Sequence, residues 1–133
     1  MRIFVADPQA RVRFALRVLL ERQPDVEVVG EVAGLQDLLS HAALPCADVI
    51  LLDWDLVGPG GGLLLSLRHD HPSLGVIVLS GRPEAREAAM SAGADAFVSK
   101  GNPPEHLLAA IARCCGNDES DQRINGTPAD ART

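Results

Sequence analysis

Asp7, Asp53, Asp55, Ser80 and Lys100 are the residues whose types and places could do chemistry. Asp7, Asp53, Ser80 and Lys100 each close a short apolar run, and Asp55 stands two residues beyond Asp53. If those runs are neighbouring parallel strands, two or three carboxylates, a hydroxyl and an ammonium converge on one rim. Carboxylates held that close repel each other, which favours taking up a proton or a hard cation such as Mg²⁺. An ammonium beside them can hold an anionic oxygen, so the set suits phosphoryl chemistry with an aspartate as acceptor. Taken singly, an Asp after a strand is an ordinary turn former, and a lone Ser or Lys says less. The recurrence at four strand ends carries the inference.

The elements that must position these groups are legible as alternating patterns. Apolar runs at residues 3–6, 26–32, 49–52, 76–79 and 96–98 read as strands. Between them, apolar residues recur at spacings of three and four, as on one face of a helix. The stripes are Val12, Leu16, Leu19 and Leu20; Leu35, Leu38, Leu39 and Ala42; and Leu63, Leu64 and Leu67. Ala85, Ala88, Ala89 and Ala92 form a thin fourth stripe, and Leu108, Ile111, Ala112 and Cys115 a fifth. Repeated strand–helix units predict an α/β, doubly wound, five-stranded parallel sheet with helices on both faces.

Polarity orders the strands. The first, third and fourth runs are almost wholly apolar and belong inside the sheet, whereas Glu27 and Glu31 suit the second to an edge. The short fifth run suits the other edge. Right-handed crossovers then give the flavodoxin-like order 2-1-3-4-5, with ligands expected at the carboxyl ends where the order reverses.

Composition narrows the function. The 133 residues are 47% hydrophobic and 23% charged, which fits one globular domain. Aromatics at 3% leave little for stacking on single-stranded bases, and a net charge of −6 argues against direct nucleic-acid binding. No run approaches the roughly 20 apolar residues that cross a bilayer. Three cysteines without metal or disulfide spacing fit a reduced, cytoplasmic setting. Apolar periodicity stops at Cys115, so residues 1–115 are expected to form the domain and residues 116–133 a disordered tail or linker.

Several stretches resemble the receiver domain of bacterial response regulators. Asp48-Val-Ile-Leu-Leu-Asp53 is similar to the phosphoacceptor strand of that family. Leu79-Ser80-Gly81 is similar to its Thr/Ser switch position, and Ala92-Gly-Ala-Asp-Ala-Phe97-Val-Ser-Lys100 to its aromatic switch and lysine. The continuation Gly101-Asn-Pro-Pro-Glu-His-Leu-Leu resembles the branch often joined to a helix-turn-helix effector. The resemblance implies that Asp53 accepts a phosphoryl group from a histidine kinase or phosphotransfer protein. It implies further that Mg²⁺ is held by Asp7, Asp53 and the backbone carbonyl of Asp55, and that Lys100 pairs with phosphoryl oxygens. Ser80 would move to the phosphoryl group and Phe97 would turn inward behind it. A homodimer through the fourth helix, fifth strand and fifth helix is a further implication, and no enzymatic turnover beyond self-phosphorylation and self-dephosphorylation is expected.

Two positions depart from the family pattern. Pro8 stands where a second acid usually follows Asp7, which weakens the expected Mg²⁺ site unless Asp55 supplies the missing charge. Val57 stands where the family usually has proline. The departure at Pro8 supports an alternative, an interaction module that works without phosphorylation. A remote alternative follows from Asp53-Trp-Asp55-Leu-Val57, which matches the Asp-x-Asp-x-Thr/Val signature of haloacid-dehalogenase-like phosphatases. Of the remaining residues, Trp54 either walls the site or packs. The arginines at 11, 13, 17 and 22 and the histidines at 41, 69, 71 and 106 read as solvated.

Overall fold

The computed structural model describes residues 1–120. Strands β1 (Arg2–Ala6), β2 (Glu27–Val32), β3 (Val49–Asp53), β4 (Gly75–Ser80) and β5 (Ala96–Ser99) pair in parallel in the order β2-β1-β3-β4-β5. The expected order is the observed one. Every residue of β3 is buried, while in β2 only Val32 is fully so. That contrast is the physical meaning of the polarity difference, because a central strand is covered on both faces.

Helices α1 (Ala10–Glu21), α2 (Leu35–Ser40), α3 (Gly62–Asp70), α4 (Arg86–Ser91) and α5 (Pro104–Ser120) cover the sheet. Successive strand residues point to opposite faces. Ile3 and Val5 therefore join Leu16 and Leu20 of α1 and Leu107 and Ile111 of α5 in one apolar layer. Phe4 and Ala6 join Leu38 of α2, Leu63, Leu64 and Leu67 of α3 and Ala89 of α4 in the other. Single helical turns at Leu44–Cys46, Trp54–Val57, Pro59–Gly61 and Pro83–Ala85 complete the connections. In the glycine-rich stretch, a Cβ on Gly61, whose φ is 68°, would lie 2.8 Å from that of Ala92.

Three expectations need correction. The second stripe does not run to Ala42: α2 ends at Ser40, only Leu38 is buried, and Leu39 is 57% exposed. The chain turns extended at His41, whose ring meets Phe4 edge-on with centroids 4.9 Å apart, so His41 is not a solvated residue. On α5 the buried face is Leu107, Ala110 and Ile111 rather than the Leu108, Ile111 and Ala112 expected; Ala112 is exposed. Adjacent leucines at 107 and 108 leave the helical phase open by one position, and packing against the sheet selects Leu107. The side chain of Cys115 lies outside the described residues. So does most of the expected tail over 116–133, α5 itself running to Ser120.

Of the strand glycines Gly30 and Gly75, Gly30 is the more crowded. A Cβ there would sit 2.6 Å from Phe4 Cε2 and 3.0 Å from His41 Cε1. Gly30→Ala is therefore expected to cost about 1–3 kcal/mol by overpacking, read as a lower urea midpoint with unchanged slope. An unchanged midpoint would show that the ring pair yields freely.

Candidate functional site

The carboxyl ends of β1, β3, β4 and β5 meet at one rim. The ladder extends past the strands there, with Asp7 N–H donating to the Val32 carbonyl at 3.1 Å and Lys100 N–H to the Ser80 carbonyl at 2.8 Å. The functional side chains thus leave rigid backbone. Lys100 Nζ lies 2.6 Å from Asp53 Oδ1 and 2.7 Å from Asp7 Oδ2. Asp7 is wholly buried, and Asp53 and Ser80 are only 3% and 4% exposed. These are the buried charged and polar residues of the described core.

Two carboxylates share one ammonium. Burial by itself lowers the pKa of Lys100 and is the largest single influence on it. The hydrogen bonds and charges of Asp53 and Asp7 together outweigh burial and hold Lys100 above its ordinary 10.5. The ion pair therefore persists across the neutral range, and the acceptor candidate Asp53 is presented beside a fixed positive charge.

Each oxygen-bearing residue also makes the local turn its type favours. Asp7 Oδ1 accepts from the Gln9 N–H at 2.9 Å, Asp53 Oδ2 from the Asp55 N–H at 3.0 Å, and Ser80 Oγ from the Arg82 N–H at 3.0 Å. These turns leave Asp7 Oδ2 and Asp53 Oδ1 to face the Lys100 ammonium.

Asp7 Oδ2 is buried, and among the described residues its partner is the Lys100 ammonium at 2.7 Å. A buried carboxylate oxygen held by one ammonium, which the carboxylate of Asp53 shares, is the kind of donor a hard cation takes. Asp7 and Asp53, which share one ammonium, are the carboxylates of this rim that a hard cation could take. Among the described residues no group of three or more His, Cys, Asp or Glu could hold a metal ion. The Asp55 carboxylate does not supply the charge missing at Pro8: it is 70% exposed and pairs with Arg82 Nη2 at 3.1 Å.

Phe97, expected to turn inward upon switching, is already inward and 5% exposed. The Arg86 guanidinium lies 5.2 Å from its ring centroid and donates to its carbonyl at 3.3 Å. Trp54 is half-buried and packs against the layer that holds Phe4 and Leu64.

Three residues near the site were not singled out from sequence. Gln9 Oε1 approaches Lys100 Nζ at 3.4 Å. Arg13 donates to the Asp7 carbonyl at 2.7 Å and pairs with Glu31, as does Arg17, so neither arginine is merely solvated. Arg82 is the third. The available signal was the shared offset of two that places Asp55 after Asp53 and Arg82 after Ser80.

A parallel 2-1-3-4-5 sheet whose rim joins two buried aspartates, a serine and a lysine defines the receiver class of two-component response regulators. Residues 3–112 match the response regulator receiver domain family, and the chain belongs to that family. It is 33% identical over 127 residues to the nitrate/nitrite response regulator protein NarP of Escherichia coli K12, covering 92% of this chain and 59% of NarP. It is 29% identical over 119 residues to NarL of the same strain, covering 87% of this chain and 55% of NarL. The chain thus spans little more than half the length of these curated relatives. Among solved structures it is similar to the isolated REC domain of RcsB from Salmonella enterica serovar Typhimurium, studied with the phosphomimetic BeF3-. That match has a TM-score of 0.72 at 30% identity and covers 84% of this chain and 86% of that one. A LuxR-family two-component response regulator from Aurantimonas sp. SI85-9A1 matches at 0.74 and 28%, over 86% and 85% of the two chains. No helix among the described residues is long and apolar enough to cross a membrane.

Proposed function

We propose that Asp53 accepts a phosphoryl group from a histidine kinase or phosphotransfer protein, and that this changes the face formed by α4, β5 and α5. The observation that carries the reading is the buried Asp53 carboxylate, 2.6 Å from an ammonium that also holds Asp7. An Asp53 oxygen bonds to phosphorus as the donor's bond to phosphorus breaks, and the leaving group departs with that electron pair. Lys100 exchanges its contact with the carboxylate for the incoming phosphoryl oxygens, where charge grows in the transition state. Among the described residues Ser80 Oγ accepts from the Arg82 N–H, so its own O–H is available to donate to the phosphoryl group.

Mg²⁺, held by the Asp7 and Asp53 carboxylates and the Asp55 carbonyl, would neutralise charge on the phosphoryl oxygens. The α4–β5–α5 face is the element biased by the switch, since Ala89 is the one buried side chain of α4. So little buried area leaves α4 among the less firmly held elements. We further propose that this face pairs two copies of the chain, and that it works in the cytoplasm.

Pro8 favours a second reading, a protein-interaction module that is not phosphorylated. One experiment separates the two. With acetyl phosphate and Mg²⁺, the wild type is expected to gain one phosphoryl mass and Asp53→Asn none. Equal labelling of the variant overturns the acceptor assignment. A wild type that takes no label, with or without Mg²⁺, supports the interaction module.

A further inference from the structure

Asp55 and Arg82 stand at equivalent places on two neighbouring loops. The main-chain N–H of Asp55 holds Asp53 Oδ2 at 3.0 Å, and that of Arg82 holds Ser80 Oγ at 3.0 Å. Their side chains then join each other, Arg82 Nη2 to Asp55 Oδ1 at 3.1 Å. The four residues form a continuous chain of contacts from the carboxylate of Asp53 to the hydroxyl of Ser80. Its outer link is an exposed ion pair, and its inner ends are the two groups proposed to meet the phosphoryl group.

We propose that the Asp55–Arg82 pair is a latch across the mouth of the acceptor site, and that Arg82 is a second phosphoryl-binding cation which Asp55 holds until the phosphoryl group arrives. The inference rests on the reading of Asp53 as acceptor. An exposed ion pair is held weakly, because solvent screens it and ordering two side chains costs entropy. A phosphoryl group offers more charge than a carboxylate and oxygens that suit the planar fork of a guanidinium. Arg82 therefore gains by exchanging Asp55 for the phosphoryl group, and its main-chain tie to Ser80 brings the hydroxyl loop with it. The positive charge has a particular use in this chain. Pro8 removes an acid from the site, which leaves it less able to hold a metal cation and more dependent on its own cations.

The test is the initial rate of phosphoryl-mass gain from acetyl phosphate, measured on the full chain. Arg82→Gln is expected to slow labelling about 3- to 10-fold, the loss of a charge-assisted contact. Asp55→Asn is expected to speed it about 2- to 5-fold, as the cation is released. In the Arg82→Gln background, Asp55→Asn should give no gain, because Asp55 acts through Arg82. Changes in the same direction for both single variants, no change in either, or a gain that survives in the double variant would overturn the latch. A wild type that takes no label, or a label that survives Asp53→Asn, overturns the acceptor reading itself and is recognised separately.

Discussion

Replacing Lys100 by methionine is expected to destabilise the fold by about 3 kcal/mol near neutral pH, the low end for breaking a buried ion pair. The low end applies because the lysine side chain keeps 21% of its surface exposed. The change leaves Asp7 and Asp53 facing each other across a position with no cation. Like charges that close repel each other, which is the source of the expected loss. The wild type should itself lose stability at the alkaline end. Its Lys100 pKa is raised on folding, so the stabilisation is complete below the ordinary value of 10.5 and is lost as the pH climbs through the higher folded value. Urea denaturation near neutrality and at alkaline pH above 10.5 checks the magnitude and the sign. A Lys100→Met chain as stable as wild type at neutrality would mean that the shared ammonium contributes nothing to stability.

The second large effect is expected at Pro8. Pro8→Asp should tighten Mg²⁺ binding about tenfold or more, or roughly 1.4 kcal/mol. A carboxylate about 4 Å from a cation contributes a few kcal/mol per unit charge at an effective dielectric of about 20. Desolvation and repulsion between carboxylates remove much of that. The structure sharpens the expectation, because the Asp55 carboxylate is taken by Arg82. The turn that would carry the new carboxylate is already held by the Gln9 N–H on Asp7 Oδ1. Trp54 adjoins the acceptor and is half-buried, so its fluorescence reports a Mg²⁺ titration. Equal affinities for wild type and variant would show that another group, such as Gln9, completes the site.

Much of the fold is written in contrasts of polarity along the chain. Strands β1, β3 and β4 are legible as central because burial on two faces demands unbroken apolar runs. Glu31 marks β2 as an edge, and the structure pairs it with Arg13 and Arg17. Helix phase was less legible where two leucines adjoin, as at 107 and 108, since either can face the sheet. The end of α2 was missed because its cause is distant in sequence. His41 leaves the helix to meet Phe4, a residue of β1.

Sequence alone determined which groups stand at the strand ends, because a parallel sheet with this order brings those ends together whatever the side chains do. The lysine bridging Asp7 and Asp53 follows from that geometry. Only the tertiary structure decided which further acids and cations join them. Asp55 is near Asp53 in the chain, yet its carboxylate points out to Arg82. Strand pairing is specified by patterns spread over many residues. The direction of one side chain in a loop is set by a single turn and the charge that happens to lie opposite it.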